Sequence, residues 1–179
     1  WTTLARHVHQ HVPTSWGYTA QGSIDGLPVR MQEQEIRQTL GSNREWHTLV
    51  VVQLTGANLP EFTLRRGGSR PLLRELMAPM VDPIVRSLGG DPTPAESGAG
   101  VASIAADTEF CACWQLVGAD GQALADFFDP AMRRQLLALG LEGDIGGAGN
   151  VLVWFATHAM RPSNLAHLVE GVRLLRAGF

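Results

Sequence analysis

The sequence predicts an α+β fold: an antiparallel sheet of about seven strands, with helices inserted before and after strand five and a C-terminal amphipathic helix. Three observations predict this class. Segments rich in β-branched residues follow one another through short turns. Helix-like segments come in groups rather than one per strand, and the chain ends in apolar residues at helical spacing. Seven strands followed by a terminal helix also resemble a pleckstrin-homology-like barrel.

The first element is predicted to be an N-terminal helix over residues 1–12, followed by a single α+β domain over residues 13–179. Thr2 or Thr3 is a suitable cap for this helix, and Pro13 ends it. The apolar side chains of the segment recur every four positions, at Leu4, Val8 and Val12.

Four strands are predicted next. The dipeptide Asp25-Gly26 predicts a two-residue hairpin turn between a strand over residues 16–24 and another through residues 29–31. "EWHTLVVVQLT", residues 45–55, is the clearest strand because its β-branched run is too dense for an exposed helix. "EFTLRR", residues 61–66, is the fourth strand.

The middle of the chain alternates between helical and strand patterns. Residues 72–88 carry apolar side chains at helical spacing and predict two short helices, because Pro79 and Pro83 interrupt a longer one. Residues 91–106 are rich in proline, glycine and small side chains and predict a mobile loop. "DTEFCACWQLV", residues 107–117, is then strand five.

The C-terminal third is predicted to contain three helices and a hairpin. A short helix covers residues 122–127, and a second covers residues 130–139, from an Asp129-Pro130 start to Gly140. Residues 141–158 form a hairpin with its turn at the glycines. The last helix has one apolar face, formed by Leu165, Leu168, Val169, Val172 and Leu175.

Composition excludes several classes of function. All 14 basic residues are arginine and the formal net charge is −3, so we expect no nucleic-acid partner. Without lysine there is no P-loop lysine, no Schiff base and no pyridoxal anchor, and we expect no cofactor. No run of 18 apolar residues is present. We therefore expect membrane association only through a segment outside this chain, which opens at Trp1.

Cys111 and Cys113 are the only cysteines. Two thiolates can supply half of a tetrahedral zinc site, with histidines completing it. On a strand these residues share a face but are poorly placed to bridge each other, and their spacing is not that of a CxxC motif. We therefore expect buried structural cysteines that pack as small apolar side chains.

Three histidines alternate in "ARHVHQHVP". On a strand His7, His9 and His11 would share one face, whereas on a helix only His7 and His11 would do so. Because the apolar spacing favours a helix, His7 and His11 are the candidate metal pair, and they lack the glutamate of an HExxH motif. We expect a solvated polar face and no bound metal.

The best enzyme-like constellation combines two histidines at strand ends with one carboxylate. His47 lies at the start of the clearest strand and His158 at the end of the last one, so an antiparallel sheet can bring them together. Glu109 is the carboxylate that would join them. Polar residues at sheet ends also give this pattern without any catalytic role.

Two further patterns are interpreted structurally. "GDIGGAGN" lacks GxGxxG spacing and precedes a strand rather than a helix, so we expect a hairpin turn instead of a phosphate loop. Four tryptophans lie in or beside predicted strands, and we expect them to fill the core rather than line a ligand pocket: Trp16, Trp46, Trp114 and Trp154.

The order of several short motifs resembles a group of uncharacterised bacterial, mainly actinobacterial, proteins, over most of the chain beyond residue 14. The matching positions are Gly22 and Gly26, Thr48, Val50 and Leu54, Pro60 and Phe62, Asp107 and Phe110, and Pro130, Arg133 and Leu136. The resemblance implies a soluble domain that follows N-terminal membrane helices in its parent protein. It implies architecture and no particular activity.

The leading hypothesis is a non-catalytic domain of a membrane-tethered bacterial protein that binds a protein partner or a small ligand. We expect it to be membrane-associated or cytoplasmic, on an unspecified side of the membrane. The alternative is a hydrolase or metal-dependent enzyme that uses the sheet-end histidines. A third hypothesis is a domain that mainly assembles with itself.

Overall fold

The computed structural model describes residues 8–14, 17–37, 44–67, 100–101, 107–118, 120–156 and 161–178. The strands are β1 (Val8–Thr14), β2 (Gly17–Ile24), β3 (Leu27–Arg37), β4 (Arg44–Gln53), β5 (Leu59–Arg66), β6 (Gly100–Val101), β7 (Trp114–Gly118), β8 (Asp144–Gly149) and β9 (Val151–Ala156). The helices are α1 (Thr108–Cys113), α2 (Gly121–Phe127), α3 (Pro130–Leu139) and α4 (Pro162–Ala177).

The strands form one antiparallel sheet in the order β1-β2-β3-β4-β9-β8-β5-β7-β6. The predicted α+β class with a C-terminal helix is therefore confirmed. The described residues contribute nine strands rather than about seven, because β1 and β6 add one strand to each edge. The resemblance to a pleckstrin-homology-like barrel stays a prediction.

The N-terminal helix predicted over residues 1–12 is wrong over Val8–Val12, where the chain forms β1. Residues four apart share a face on a strand as well as on a helix, so the spacing of Val8 and Val12 fits both. Pairing with β2 decides between them, since Val12 lies opposite Thr19.

The prediction of a fifth strand over residues 107–117 is wrong in its first half. Residues Thr108–Cys113 form α1, and the strand begins only at Trp114. The Asp107 side chain accepts a hydrogen bond from the backbone N–H of Phe110 at 3.0 Å, which caps α1. A local capping interaction thus prevails over the strand preference of an apolar run.

The predicted β2–β3 hairpin is confirmed. Ile24 pairs with Leu27 across the two-residue turn. Asp25 (φ 50°) and Gly26 (φ 82°) both have positive φ, as a type I′ turn requires. The predicted strands over residues 45–55 and 61–66 are also present, as β4 and β5.

The helices of the C-terminal third are confirmed as well. Asp129 caps α3, Pro130 occupies its first turn, and Gly140 ends it in the left-handed conformation. The β8–β9 hairpin is confirmed, but its turn lies at Gly149 and Asn150, between the paired residues Ala148 and Val151, whereas Gly146 and Gly147 pair with β9 inside the hairpin. The two predicted helices within residues 72–88 lie outside the described residues, as does most of the loop over residues 91–106.

The two faces of the sheet follow from strand alternation and register. Val50 lies opposite Met31 on one side and Trp154 on the other, which places these three on the first face. Leu49 lies opposite Phe155, and Val51 lies opposite Val153, on the second face. Both faces of β4 are buried over residues 47–52.

The main core lies between the first face and the helices. Trp154, Phe62 and Leu116 come from the sheet, and every apolar side chain buried on the four helices joins the same cluster. The predicted apolar face of α4 is buried there in full. The core role expected for the tryptophans is confirmed for Trp114 and Trp154, whereas Trp46 is half-buried.

An ion pair joins the C-terminal half of α4 to the β2–β3 turn. The Arg173 guanidinium donates to both carboxylate oxygens of Asp25, at 2.7 and 2.9 Å, and also pairs with Glu170. All three side chains are exposed, so water screens the attraction. The ion pair therefore orients the C-terminal part of α4 and contributes little to the free energy of unfolding.

Adjacent glycines in β8 give a stability prediction. A Cβ on Gly147 would clash with Cε1 of Phe62, whereas a Cβ on Gly146 would come no closer than 3.6 Å to the Phe62 backbone oxygen. We expect Gly147→Ala to lower the free energy of unfolding by about 1–3 kcal/mol through overpacking. Urea denaturation measures it, and Gly146→Ala is the matched control. Equal midpoints for the two variants would contradict this packing.

Candidate functional site

The most developed polar cluster joins α1 to α3. Arg133 Nε donates to Asp107 Oδ2 at 2.8 Å, and its Nη1 donates to the Phe128 backbone oxygen at 2.8 Å. The side chain of Arg133 is 9 % exposed and that of Asp107 is 22 % exposed. This is a largely buried ion pair with directed hydrogen bonds, so it fixes the relative position of the two helices.

Both members of this pair come from short sequence motifs that lie far apart in the chain. Asp107 and Phe110 form one motif, and Pro130 and Arg133 open the other. The structure brings the two together across 26 positions of sequence. Sequence reasoning missed the pair, although one signal was present: Arg133 adjoins Met132 and lies three residues before Leu136, on the buried side of an amphipathic helix.

The environment of Asp107 favours its charged form. The hydrogen bond from the Phe110 backbone N–H lowers the pKa of the Asp107 carboxyl below its ordinary value, against the opposing effect of burial. Hydrogen bonding and charge from Arg133, with a further contribution from the charge of Arg134, lower the pKa again. A carboxylate held in this way is a poor proton donor at neutral pH.

A second buried polar contact lies on the first face in the middle of β4. Thr48 is fully buried, and its hydroxyl donates to Glu33 Oε1 at 3.3 Å. A fully buried hydroxyl is out of reach of a substrate, so Thr48 serves the fold rather than nucleophilic chemistry.

The proposed enzymatic constellation is only partly described. His47 lies in β4 on the second face, is 7 % exposed, and its ring centroid is 5.5 Å from that of Phe155. Glu109 is exposed on α1, which precedes β7, and three strands of the sheet lie between β4 and β7. The structure therefore separates Glu109 from His47. His158 lies outside the described residues.

The metal-ligand candidates fall near the N-terminus. His7 lies outside the described residues, while His9 and His11 belong to β1. The register with β2 shifts between Val8 and Gln10, so His9 sits at an irregularity in the strand. Within the described part of the chain, no three His, Cys, Asp or Glu side chains are grouped so that they can hold a metal ion.

The expectation of buried cysteines is wrong. Cys111 and Cys113 are both exposed, and no disulfide joins them. They lie on α1 rather than on a strand, and in this helix only Phe110 turns into the core. Residues two apart on a helix point in diverging directions, so these thiols are poorly oriented to bridge each other.

Comparison of the chain with protein-family models, with curated proteins and with solved structures gave no match. Among the described helices, none is long and apolar enough to cross a membrane.

Removal of the buried guanidinium tests its structural role. We expect Arg133→Met to lower the free energy of unfolding by about 2 kcal/mol, because Asp107 and the Phe128 carbonyl both lose their partner. Arg134→Met, at the exposed neighbouring position, is the matched control and should change stability by less than about 0.5 kcal/mol. Chemical denaturation measures both, and equal losses would show that the ion pair is not the cause.

The lowered pKa of Asp107 predicts a pH dependence of a definite sign. The charged carboxylate stabilises the folded state above its unfolded pKa of about 3.9, and this contribution is lost as pH falls through the lower folded pKa. We expect Asp107→Asn to melt at a lower temperature than the unaltered protein at pH 6, with the difference shrinking below about pH 4. Calorimetry across this range measures it. A difference that grows towards low pH would have the wrong sign.

Proposed function

We propose that this chain is a non-catalytic domain of a membrane-tethered bacterial protein and that it binds a protein partner with an acidic surface. The observation that carries the proposal is a basic outer surface on the helices of an otherwise acidic chain. The structural roles of the carboxylates and the distribution of the arginines both support it.

The carboxylates of the described residues are largely engaged in holding elements together. They cap helices, pair with arginines or accept hydrogen bonds between neighbouring segments: Asp25, Glu33, Asp107, Asp120, Asp129, Glu142 and Asp144. Catalytic acids and bases need a pKa near the working pH and access to a substrate. Carboxylates that cap helices or join neighbouring segments are suited to a rigid scaffold.

The exposed side chains of α3 and α4, together with Arg161, form what we call the α3–α4 surface. The two helices contact each other, so their outer sides adjoin. The charged residues of this surface are four arginines and one glutamate: Arg134, Arg161, Arg173, Arg176 and Glu170. The surface therefore carries a formal charge of +3, whereas the whole chain carries −3.

This asymmetry favours a macromolecular partner of opposite charge. Separated positive and negative regions steer association between proteins. Small ligands bind in concave sites, whereas the outer sides of two packed helices suit the broad contact of a protein interface. Only Arg173 of the four arginines is engaged in the ion pair with Asp25 and Glu170, so the others are positioned to meet acidic side chains.

Photo-crosslinking in the bacterial host tests the proposal on the full-length parent protein. A photoreactive residue at Gln135 or Ala138 should yield one discrete protein adduct, because both positions are exposed on α3. The double variant Arg134→Gln/Arg176→Gln should reduce that adduct at least tenfold, while Arg134→Lys/Arg176→Lys should retain most of it. The double variant Gln21→Glu/Gln115→Glu is the control for net charge, since it makes the same change at other exposed positions.

Two results would overturn the proposal. One is an adduct that survives loss of both arginines. The other is binding of the isolated domain to vesicles of phosphatidylglycerol but not phosphatidylcholine, with loss of binding in the Gln variant. That outcome would assign the α3–α4 surface to a membrane instead of a protein.

A further inference from the structure

Charge is distributed unevenly between the helices of this chain. Residues 107–129 contain no arginine, lysine or histidine but five carboxylates: Asp107, Glu109, Asp120, Asp126 and Asp129. Asp107 is neutralised by its ion pair with Arg133. The other four carboxylates are exposed and form what we call the α1–α2 surface, which carries a formal charge of −4.

The α1–α2 surface adjoins the basic α3–α4 surface within one layer of helices. Helix α1 contacts α3, and α3 contacts α4. Glu109 lies on α1 and Asp126 on α2, whereas Asp120 and Asp129 cap α2 and α3 by accepting hydrogen bonds from backbone N–H groups. Two surfaces of opposite charge therefore lie on the same copy of the chain.

These two surfaces are not paired with each other inside one copy. In the part of the chain that the structure describes, no carboxylate lies within ion-pair distance of Arg134, Arg161 or Arg176. The pairs that do form on α3 and α4 join Arg133 and Arg173 to carboxylates outside the α1–α2 surface. Three guanidinium groups are thus positioned for charge-assisted hydrogen bonds to another molecule.

Opposite charge on two surfaces of one chain favours one kind of self-association. Contact between two α3–α4 surfaces would oppose +3 to +3, and contact between two α1–α2 surfaces would oppose −4 to −4. Like charges therefore act against a two-fold dimer through either surface. Contact between the α3–α4 surface of one copy and the α1–α2 surface of the next brings +3 onto −4, and such complementarity steers association and fixes orientation.

We propose that the acidic partner of the α3–α4 surface is a second copy of this chain, which contributes its α1–α2 surface in a head-to-tail contact. This inference rests on the proposed function, because it names the partner of the same surface. Each contact leaves one α3–α4 surface and one α1–α2 surface free, so further copies can add in series.

The size of the surfaces indicates how strong this contact is. Helices α3 and α4 have 10 and 16 residues, so they are about 15 and 24 Å long and about 10 Å across. Side by side they present roughly 400 Å², about half of the ~800 Å² per partner in a standard stable interface. We therefore expect weak, reversible and salt-sensitive association rather than a permanent dimer.

The side chains around the charged groups are short. Ala131 and Ala138 are exposed on α3, Ala166 is exposed on α4, and Ala112 is exposed on α1. Short neighbours allow the helices of two copies to approach closely, so that an arginine of one copy reaches a carboxylate of the other.

Charge-reversal variants of the full chain test the head-to-tail contact. Arg134→Glu/Arg176→Glu reverses the basic surface, and Glu109→Arg/Asp126→Arg reverses the acidic surface without changing the carboxylates that cap helices. Sedimentation velocity at high protein concentration and low salt should show association of the unaltered protein, and each variant should weaken it at least about tenfold. Salt at about 1 M should abolish it, because the Debye length falls to about 3 Å.

A mixture of the two variants provides the sharpest measurement. The first variant keeps the native acidic surface and the second keeps the native basic surface, so the mixture can form one native contact. The two altered surfaces carry formal charges of −1 and 0 and do not attract each other. We expect a one-to-one pair with an affinity close to that of the unaltered protein. An unaltered protein that stays a single copy, variants that associate undiminished, or a mixture without this pair would each overturn the proposal.

A folding control accompanies these variants. Each should retain the circular dichroism spectrum of the unaltered protein. Arg134 lies close enough to influence Asp107, so Arg161→Glu/Arg176→Glu provides a second reversal of the basic surface that leaves α3 unchanged. The same loss of association in this variant supports the proposal, and undiminished association would contradict it.

Crosslinking from Gln135 in the bacterial host separates this inference from the proposed function. An adduct of two copies, joined to a peptide from residues 107–129, supports both. An adduct with a different protein that is lost in Arg134→Gln/Arg176→Gln would overturn the head-to-tail contact and leave the proposed function standing. An adduct that survives loss of both arginines would overturn both.

Discussion

The pairing of β4 with β9 holds the sheet together. These strands meet over six residue pairs, from Thr48 with Ala156 to Gln53 with Val151, although they lie roughly 100 positions apart in sequence. On one side stand β1, β2 and β3, which follow one another along the chain; on the other stand β8, β5, β7 and β6. Without this contact the two halves would share no strand-to-strand hydrogen bonds. Contacts between residues so far apart in sequence carry a large entropic cost of loop closure, so they form only when burial offsets that cost. Here β4 is buried on both faces over residues 48–52, where it pairs with β9.

Burial on both sides of the central strands determines how the rest of the chain is used. The first face needs a layer of helices, and the polar contacts of the described residues keep that layer in place. The Asp107–Arg133 pair joins α1 to α3, and the Arg173–Asp25 pair joins α4 to the β2–β3 turn. The second face carries a smaller buried apolar patch, formed by Leu49, Val51, Val117, Val151 and Phe155. The outer sides of the helices form the α3–α4 surface, which we propose as the binding site of a protein partner.

Local patterns predicted the elements whose signals are themselves local. The β2–β3 turn depends on Asp25 and Gly26 alone, and α3 depends on Asp129, Pro130 and Gly140. The prediction was wrong for β1 and α1. The valine spacing of β1 fits a helix and a strand equally, and the apolar run after Asp107 masks a helix cap. The candidate site was predicted least well: Glu109 and His47 stand on separate elements, the cysteines are exposed, and the Arg133 ion pair depends on two segments meeting in space.

By itself, the sequence determined the α+β class, most strands, the C-terminal helices and the apolar face of α4, because periodicity and turn chemistry are properties of neighbouring residues. The tertiary structure alone decided the order of strands, the two faces of β4 and the pairing of Asp107 with Arg133. It also gathered four arginines on the α3–α4 surface. Each of these depends on distances between residues far apart in the chain, and such distances are fixed only when the core closes.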